Sequence, residues 1–176
     1  SDVYKRQDLK RTLLENNNQK VYVNGEFLAK KEASISVFDR GFLFSDAVYE
    51  VTAVIGGKLV DWHEHFARLI RSLDHLNLFN DFQEADFHKI QKKLIKENKL
   101  EEGLCYVQVT RGVTERDFNF AKKSLLPTVI IFTQEKLILN NPTSNLGVKM
   151  ITVPDDRWRR RDIKTTQLLA QSLAKN

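Results

Sequence analysis

The chain has 176 residues, of which 41% are hydrophobic, 10% aromatic and 29% charged, with a formal net charge of +5 at neutral pH. This composition supplies core material for one or two small domains and excludes a disordered chain. No apolar run approaches the roughly 18–20 residues needed to cross a bilayer, and residues 1–18 are polar and mixed in charge rather than signal-like.

Residues 1–19 carry a polar asparagine run and no strand period, and are read as a leader or tail. Organised structure is expected from Lys20, where apolar residues on either side of Asn24-Gly25 predict a hairpin. Residues 39–50 then combine charges, a glycine and aromatic rings just before a strand, a mixture common in loops that line sites. The same residues equally suit a structural role in which Arg40 pairs with Asp39 or Asp46 and the rings pack. Residues 47–55 are β-branched and stop at Gly56-Gly57, after which 58–60 return as a partner strand.

From Asp61 the period changes to that of a helix, with Phe66, Leu69, Ile70, Leu73 and Leu76 on one face up to about residue 77. His63 and His65 flank Glu64 there, but residues two apart on a helix do not face each other, so no metal site is expected. A second helix carries Phe87, Ile90, Leu94 and Ile95 and ends near Asn98. Strands are expected over 105–111, 128–133 and 147–153; Pro154 breaks the last, and 165–174 reads as a helix. The lone cysteine, Cys105, falls in the first of these strands, which excludes an internal disulfide, fits a reducing, cytoplasmic setting and favours a buried inert thiol. Because strand runs and helix runs are segregated, the fold class is α+β.

The chain has no internal repeat, no Gly-x-Gly-x-x-Gly, no phosphate-binding Gly-x-x-x-x-Gly-Lys loop and no Gly-x-Ser-x-Gly elbow. Lys164 follows four arginines between 157 and 161, and on local grounds it is either the anchor of a carbonyl cofactor or one more charge on a basic face. The second possibility describes a basic binding module without catalysis. Aromatic residues do not alternate with basic ones, so a nucleic-acid surface would rest on that arginine cluster alone.

Four blocks change the balance: Asp39-Arg40-Gly41-Phe42 running to Val48-Tyr49-Glu50-Val51, His63-Glu64-His65-Phe66-Ala67-Arg68-Leu69, Gln108-Val109-Thr110-Arg111-Gly112, and Arg157-Trp158 running to Asp162-Ile163-Lys164. Their order and spacing resemble the class IV pyridoxal-phosphate-dependent aminotransferases, most nearly the D-amino acid (D-alanine) aminotransferases. The resemblance implies the small N-terminal α/β domain of fold-type IV enzymes over residues 20–138. Residues 139–176 would be the interdomain segment and the start of a larger cofactor-binding domain. Family members continue well past the lysine, to a glutamate for the pyridine nitrogen and a turn of amides for the phosphate, so a stretch limited to these 176 residues would be an inactive piece.

The resemblance also assigns roles. Lys164 would be the catalytic residue and Schiff-base anchor of pyridoxal 5′-phosphate, moving a proton at the substrate α-carbon once its amine is released. Arg68 would bind the cofactor phosphate. Tyr49 would face the substrate and Glu50 would order the site; as strand neighbours they point to opposite sides, so only one can meet the pocket directly. Arg116 matches an arginine that holds the substrate carboxylate from the neighbouring subunit, which implies a homodimer. Phe118, however, stands where a histidine would complete that trap. The implied reaction is transamination between amino acids and 2-oxo acids, D-amino acids first. Branched-chain L-amino acid aminotransferases and aminodeoxychorismate lyases share the fold and the lysine and remain alternatives.

Overall fold

The computed structural model describes residues 18–78, 81–120, 125–139, 141 and 146–175. Strands β1 (Lys20–Val23) and β2 (Glu26–Ala29) form the expected hairpin. Asn24 and Gly25 both take positive φ, 49° and 104°, the pair of left-handed residues a two-residue turn needs to follow the strand twist. A five-residue helix, α1 (Arg40–Phe44), precedes β3 (Ala47–Ile55), and β4 (Lys58–Leu59) returns through Gly56-Gly57. Helices α2 (Trp62–His75) and α3 (Glu84–Glu97) follow, then β5 (Glu102–Thr110), β6 (Thr128–Glu135) and α4 (Leu169–Lys175).

The six strands make one sheet in the order β2-β1-β6-β5-β3-β4, with every pairing antiparallel. Helix α2 turns Phe66, Leu69 and Leu73 inward, three and four residues apart, and α3 turns Phe87 inward with Leu94 and Ile95 two helical turns further on. These side chains meet Val48, Val54, Cys105, Val107, Val109 and Ile131 in a single core between helices and sheet. Strand residues that alternate with them, such as Tyr49, Tyr106 and Phe132, occupy the other face. The mixed two-layer architecture is the expected α+β class. Cys105 is fully buried, and desolvation pushes its thiol up to about 12, as an inert core cysteine requires.

Two expectations differ from the structure. Residues 147–153 form no strand: Val148, Met150 and Ile151 are exposed, and no ladder partner exists among the described residues. The helix expected from 165 begins at Leu169, because Thr165 bridges Val48 and the Thr166 N–H donates to the Ala47 carbonyl, holding this stretch extended against β3. Of the leader expected over 1–19, residues 1–17 lie outside the described residues, while Gln19 donates its side-chain amide to the Thr133 carbonyl at 2.5 Å.

Leu73 is wholly buried at the helix–sheet interface whereas Leu139 lies on the surface. Leu73→Ala is therefore expected to destabilise the fold by about 2–5 kcal/mol and Leu139→Ala by under about 0.5 kcal/mol, measured as shifts in the denaturation midpoint.

Candidate active site

Strand β4 covers only Val54 and Ile55 of β3, so the rest of that edge needs another partner. The Val60 N–H meets the Ala53 carbonyl, and residues 164–166 cover the stretch from Ala47 to Tyr49: the Tyr49 N–H donates to the Lys164 carbonyl at 3.0 Å, and Val48 and Thr165 form an antiparallel bridge. The period-two rule then sorts the side chains. Ile163 and Thr165 are buried, Ile163 within the core, and Lys164 projects to the opposite side. Its Nζ lies 4.1 Å from the centre of the Tyr49 ring, close enough for the ring face to stabilise an ammonium. The Lys164 N–H approaches the hydroxyl of Ser72, a buried residue of α2, at 3.4 Å.

Glu50, next along β3, turns toward α2 and is only 2% exposed. Arg68 donates to it from two nitrogens, Nε to Oε1 at 2.5 Å and Nη2 to Oε2 at 2.7 Å, and His65 Nδ1 stands 2.8 Å from Oε2. A carboxylate only accepts, so that contact places the His65 proton on Nδ1, and the 3.3 Å approach of Arg68 Nη2 to the same nitrogen is not a second hydrogen bond. Burial alone would raise the Glu50 carboxyl, but the hydrogen bonds from Arg68 and then His65 outweigh it and hold the group below its ordinary value. In return, the bond to Glu50 holds the Arg68 guanidinium above its own. Arg68 Nη1 makes no hydrogen bond among the described residues, and the side chain is 42% exposed, so one edge of the fork is oriented and the other is available.

On the open face of the sheet, Tyr49 stacks on Tyr106 at 5.7 Å between ring centres, and Tyr106 on Phe132 at 4.7 Å. Tyr106 donates its hydroxyl to Gln108 Oε1, and burial, then the neighbouring Tyr49, pushes its phenol up to about 12. Sequence reading missed Tyr106; the available signal was its alternation with buried Cys105 and Val107, which puts it on the face of Tyr49. His65 was also missed as a partner of Glu50, because the two lie on different elements, fifteen residues apart. His63 contacts Glu84 at 2.8 Å, and no group able to hold a metal occurs among the described residues.

The structure thus brings Lys164, Tyr49, Glu50 and Arg68 to one stretch of β3, and Arg116 to a different neighbourhood, its guanidinium 5.3 Å from the Phe44 ring and 5.4 Å from that of Phe118. Arg40 pairs with Asp46 at 2.7 Å, while Asp39 instead caps α1 through the Gly41 N–H and accepts from the Thr110 hydroxyl. Three of the four arginines before Lys164 are matched: Arg157 and Arg161 reach Asp155, and Arg160 reaches Asp162. Such pairing leaves little of the concentrated positive field that a nucleic-acid surface needs.

Residues 47–176 match the family model for amino-transferase class IV. A D-alanine aminotransferase of Staphylococcus aureus (strain MSSA476) is 37% identical over 159 residues, covering 89% of this chain and 55% of the relative. One from Listeria monocytogenes serotype 4b is 34% identical over 158 residues with the same coverage. The chain therefore spans about half the length of the curated relatives it matches. Among solved structures, 4-amino-4-deoxychorismate lyase from Pseudomonas aeruginosa superposes with a TM-score of 0.67 at 24% identity, over 88% of this chain and 55% of that one. The Escherichia coli branched-chain amino acid aminotransferase superposes with a TM-score of 0.65 at 15% identity, over 72% and 42%. The matched span opens at the first residue of β3 and takes in the segment that bears Lys164, and with relatives at 37% identity over 89% of its length the chain belongs to the class IV aminotransferase family.

Proposed function

We propose that the protein catalyses pyridoxal 5′-phosphate-dependent transamination between amino acids and 2-oxo acids, with D-amino acids such as D-alanine as the first substrates. The observation that carries this reading is the placement of Lys164, a primary amine held against the Tyr49 ring by backbone pairing to β3. The residues suit the cofactor. An amine that can condense with an aldehyde and a guanidinium with one edge already oriented both border the β3 segment at Tyr49 and Glu50, which is the donor set a phosphorylated aldehyde needs.

Pyridoxal phosphate, when bound, supplies the electron sink for charge developing at the substrate α-carbon. Lys164 anchors it, and its Nζ then carries the α-proton as general base and acid. Arg68 binds the phosphate through the edge that Glu50 leaves open. Glu50 fixes the plane of that fork, and His65 helps keep the carboxylate ionised in a buried position. Tyr49 walls the amine on one side and limits the directions from which a substrate can approach.

Arg116 holds the substrate carboxylate. Its seat beside Phe44 and Phe118, apart from the Lys164 cluster, is consistent with service to a neighbouring copy in a homodimer, located in the cytoplasm. The D-alanine aminotransferase relatives support D-amino acids as substrates. The exposed Phe118 ring beside Arg116 favours a second reading in which larger apolar donors, including branched-chain L-amino acids, are accepted.

In the protein expressed from its full reading frame, borohydride reduction is expected to fix the cofactor on the peptide containing Lys164 and to fix none in Lys164→Ala. Equal labelling of both proteins, or of neither, rejects the reading; a panel of D- and L-amino acids assigns the substrate. A separate test addresses Glu50, whose depressed carboxyl makes its ion pair fully present above the ordinary carboxylate value of 4.5 and lost as pH falls through the lower folded value. Glu50→Gln is expected to weaken cofactor binding about tenfold through loss of the charge-assisted pair and to remove that acid-side contribution to stability, seen by titrating cofactor and by melting the apo-protein across pH.

A further inference from the structure

Arg40 is 3% exposed although it opens a five-residue helix next to a loop, so something other than solvent must satisfy its guanidinium. Its Nε donates to Asp46 Oδ2 at 2.7 Å and its Nη1 to the backbone carbonyl of Asp117 at 2.6 Å. The guanidinium also lies 4.7 Å from the centre of the Phe44 ring and 5.4 Å from that of Phe120. The Arg40 N–H meanwhile donates to the Gly112 carbonyl at 3.0 Å. One residue thus grips the loop after β5 at two points, Gly112 and Asp117, and Asp117 sits between Arg116 and Phe118.

The grip is referenced to rigid parts of the fold. Asp46 is shared with Arg111, whose Nε and Nη2 both reach it and whose remaining donors go to the Leu76 and Asn77 carbonyls where α2 ends. Helix α1 is seated against β5: a Cβ at Gly41 would stand 2.4 Å from Thr110 Cγ2, and buried Asp39 accepts the Thr110 hydroxyl. Arg40 therefore cannot shift without disturbing β5, and two guanidiniums on one carboxylate leave the Asp117 carbonyl as a needed acceptor.

We propose that Arg40 is the positioning residue for the Arg116–Phe118 loop and so sets affinity for the substrate carboxylate without touching it. The inference rests on Arg116 holding that carboxylate. Lysine at position 40 could keep the charge pair with Asp46, but a single ammonium lacks the fork that spans Asp46 and the Asp117 carbonyl together.

In the full-reading-frame protein loaded with pyridoxal phosphate, Arg40→Lys is expected to raise KM for the donor amino acid about tenfold with kcat within about twofold. Cofactor trapped at Lys164 by borohydride should be unchanged, and amides over 114–118 should exchange hydrogen faster. A fall in kcat with lost cofactor, or unchanged exchange over 114–118, overturns the proposal. Arg116→Lys, run in parallel, isolates the underlying reading: if it leaves KM unchanged while Arg40→Lys still accelerates loop exchange, the carboxylate role of Arg116 has failed and the link from Arg40 to affinity falls, whereas the loop grip stands. Should Arg40→Lys not fold, Asp46→Asn, which removes the charge that Arg40 Nε reaches, is read instead: faster exchange over 114–118 supports the grip, and unchanged exchange overturns it.

Discussion

An exposed strand edge is a row of unmet donors and acceptors, and what meets them decides much of the local architecture. Strand β3 carries Tyr49 and Glu50 and pairs with the segment that bears Lys164. Its inner edge is satisfied by nine residue pairs with β5, from Ala47 to Ile55, while β4 satisfies only the far end of its outer edge. The remaining edge is where residues 164–166 attach. The lysine is therefore placed by main-chain hydrogen bonds, over a chain separation of more than a hundred residues, and by the burial of Ile163. A side chain set by backbone geometry is better defined than one set by a loop's own packing.

Buried carboxylates form the second level of organisation. Glu50 orients Arg68 and His65, Asp46 joins Arg40 to Arg111, and Asp39 links α1 to β5. Each is costly to desolvate, and each is offset by two or more donors arranged around it. They do not all act on the same group. Glu50 orients Arg68 and His65 beside β3, and Asp46 ties Arg40 and Arg111 together just before it, so the surroundings of Lys164 and the loop bearing Arg116 are tied to different carboxylates.

The legible parts of the fold were those with local causes. Asn24-Gly25 and Gly56-Gly57 announce turns because the left-handed backbone is demanded there, and α2 and α3 declare themselves by period. Helix α1 was missed because five residues are too few to show a period; Asp39 as its cap was the available signal. The alternation over 147–153 records a capacity to pair, and no partner for it occurs among the described residues. The start of α4 moved for the opposite reason, since β3 captured residues that would otherwise favour a helix. Of the site, Lys164, Tyr49, Glu50 and Arg68 were visible as spaced blocks, but their assembly was not, because it depends on which strand edge is left open. Tyr106 looked like ordinary strand packing until the register set it diagonal to Tyr49.

The alternation of Ile163, Lys164 and Thr165 against β3 has a bearing on errors of assembly. Were the segment to attach one position out of step, every side chain would change sides, sending an ammonium into the hydrocarbon core and an isoleucine into water. Both changes are strongly unfavourable, so the misaligned chain would find no stable resting place. The accuracy with which the Lys164 amine is placed is in this sense enforced by its neighbours' greasiness: a buried isoleucine acts as the proofreader of the lysine beside it.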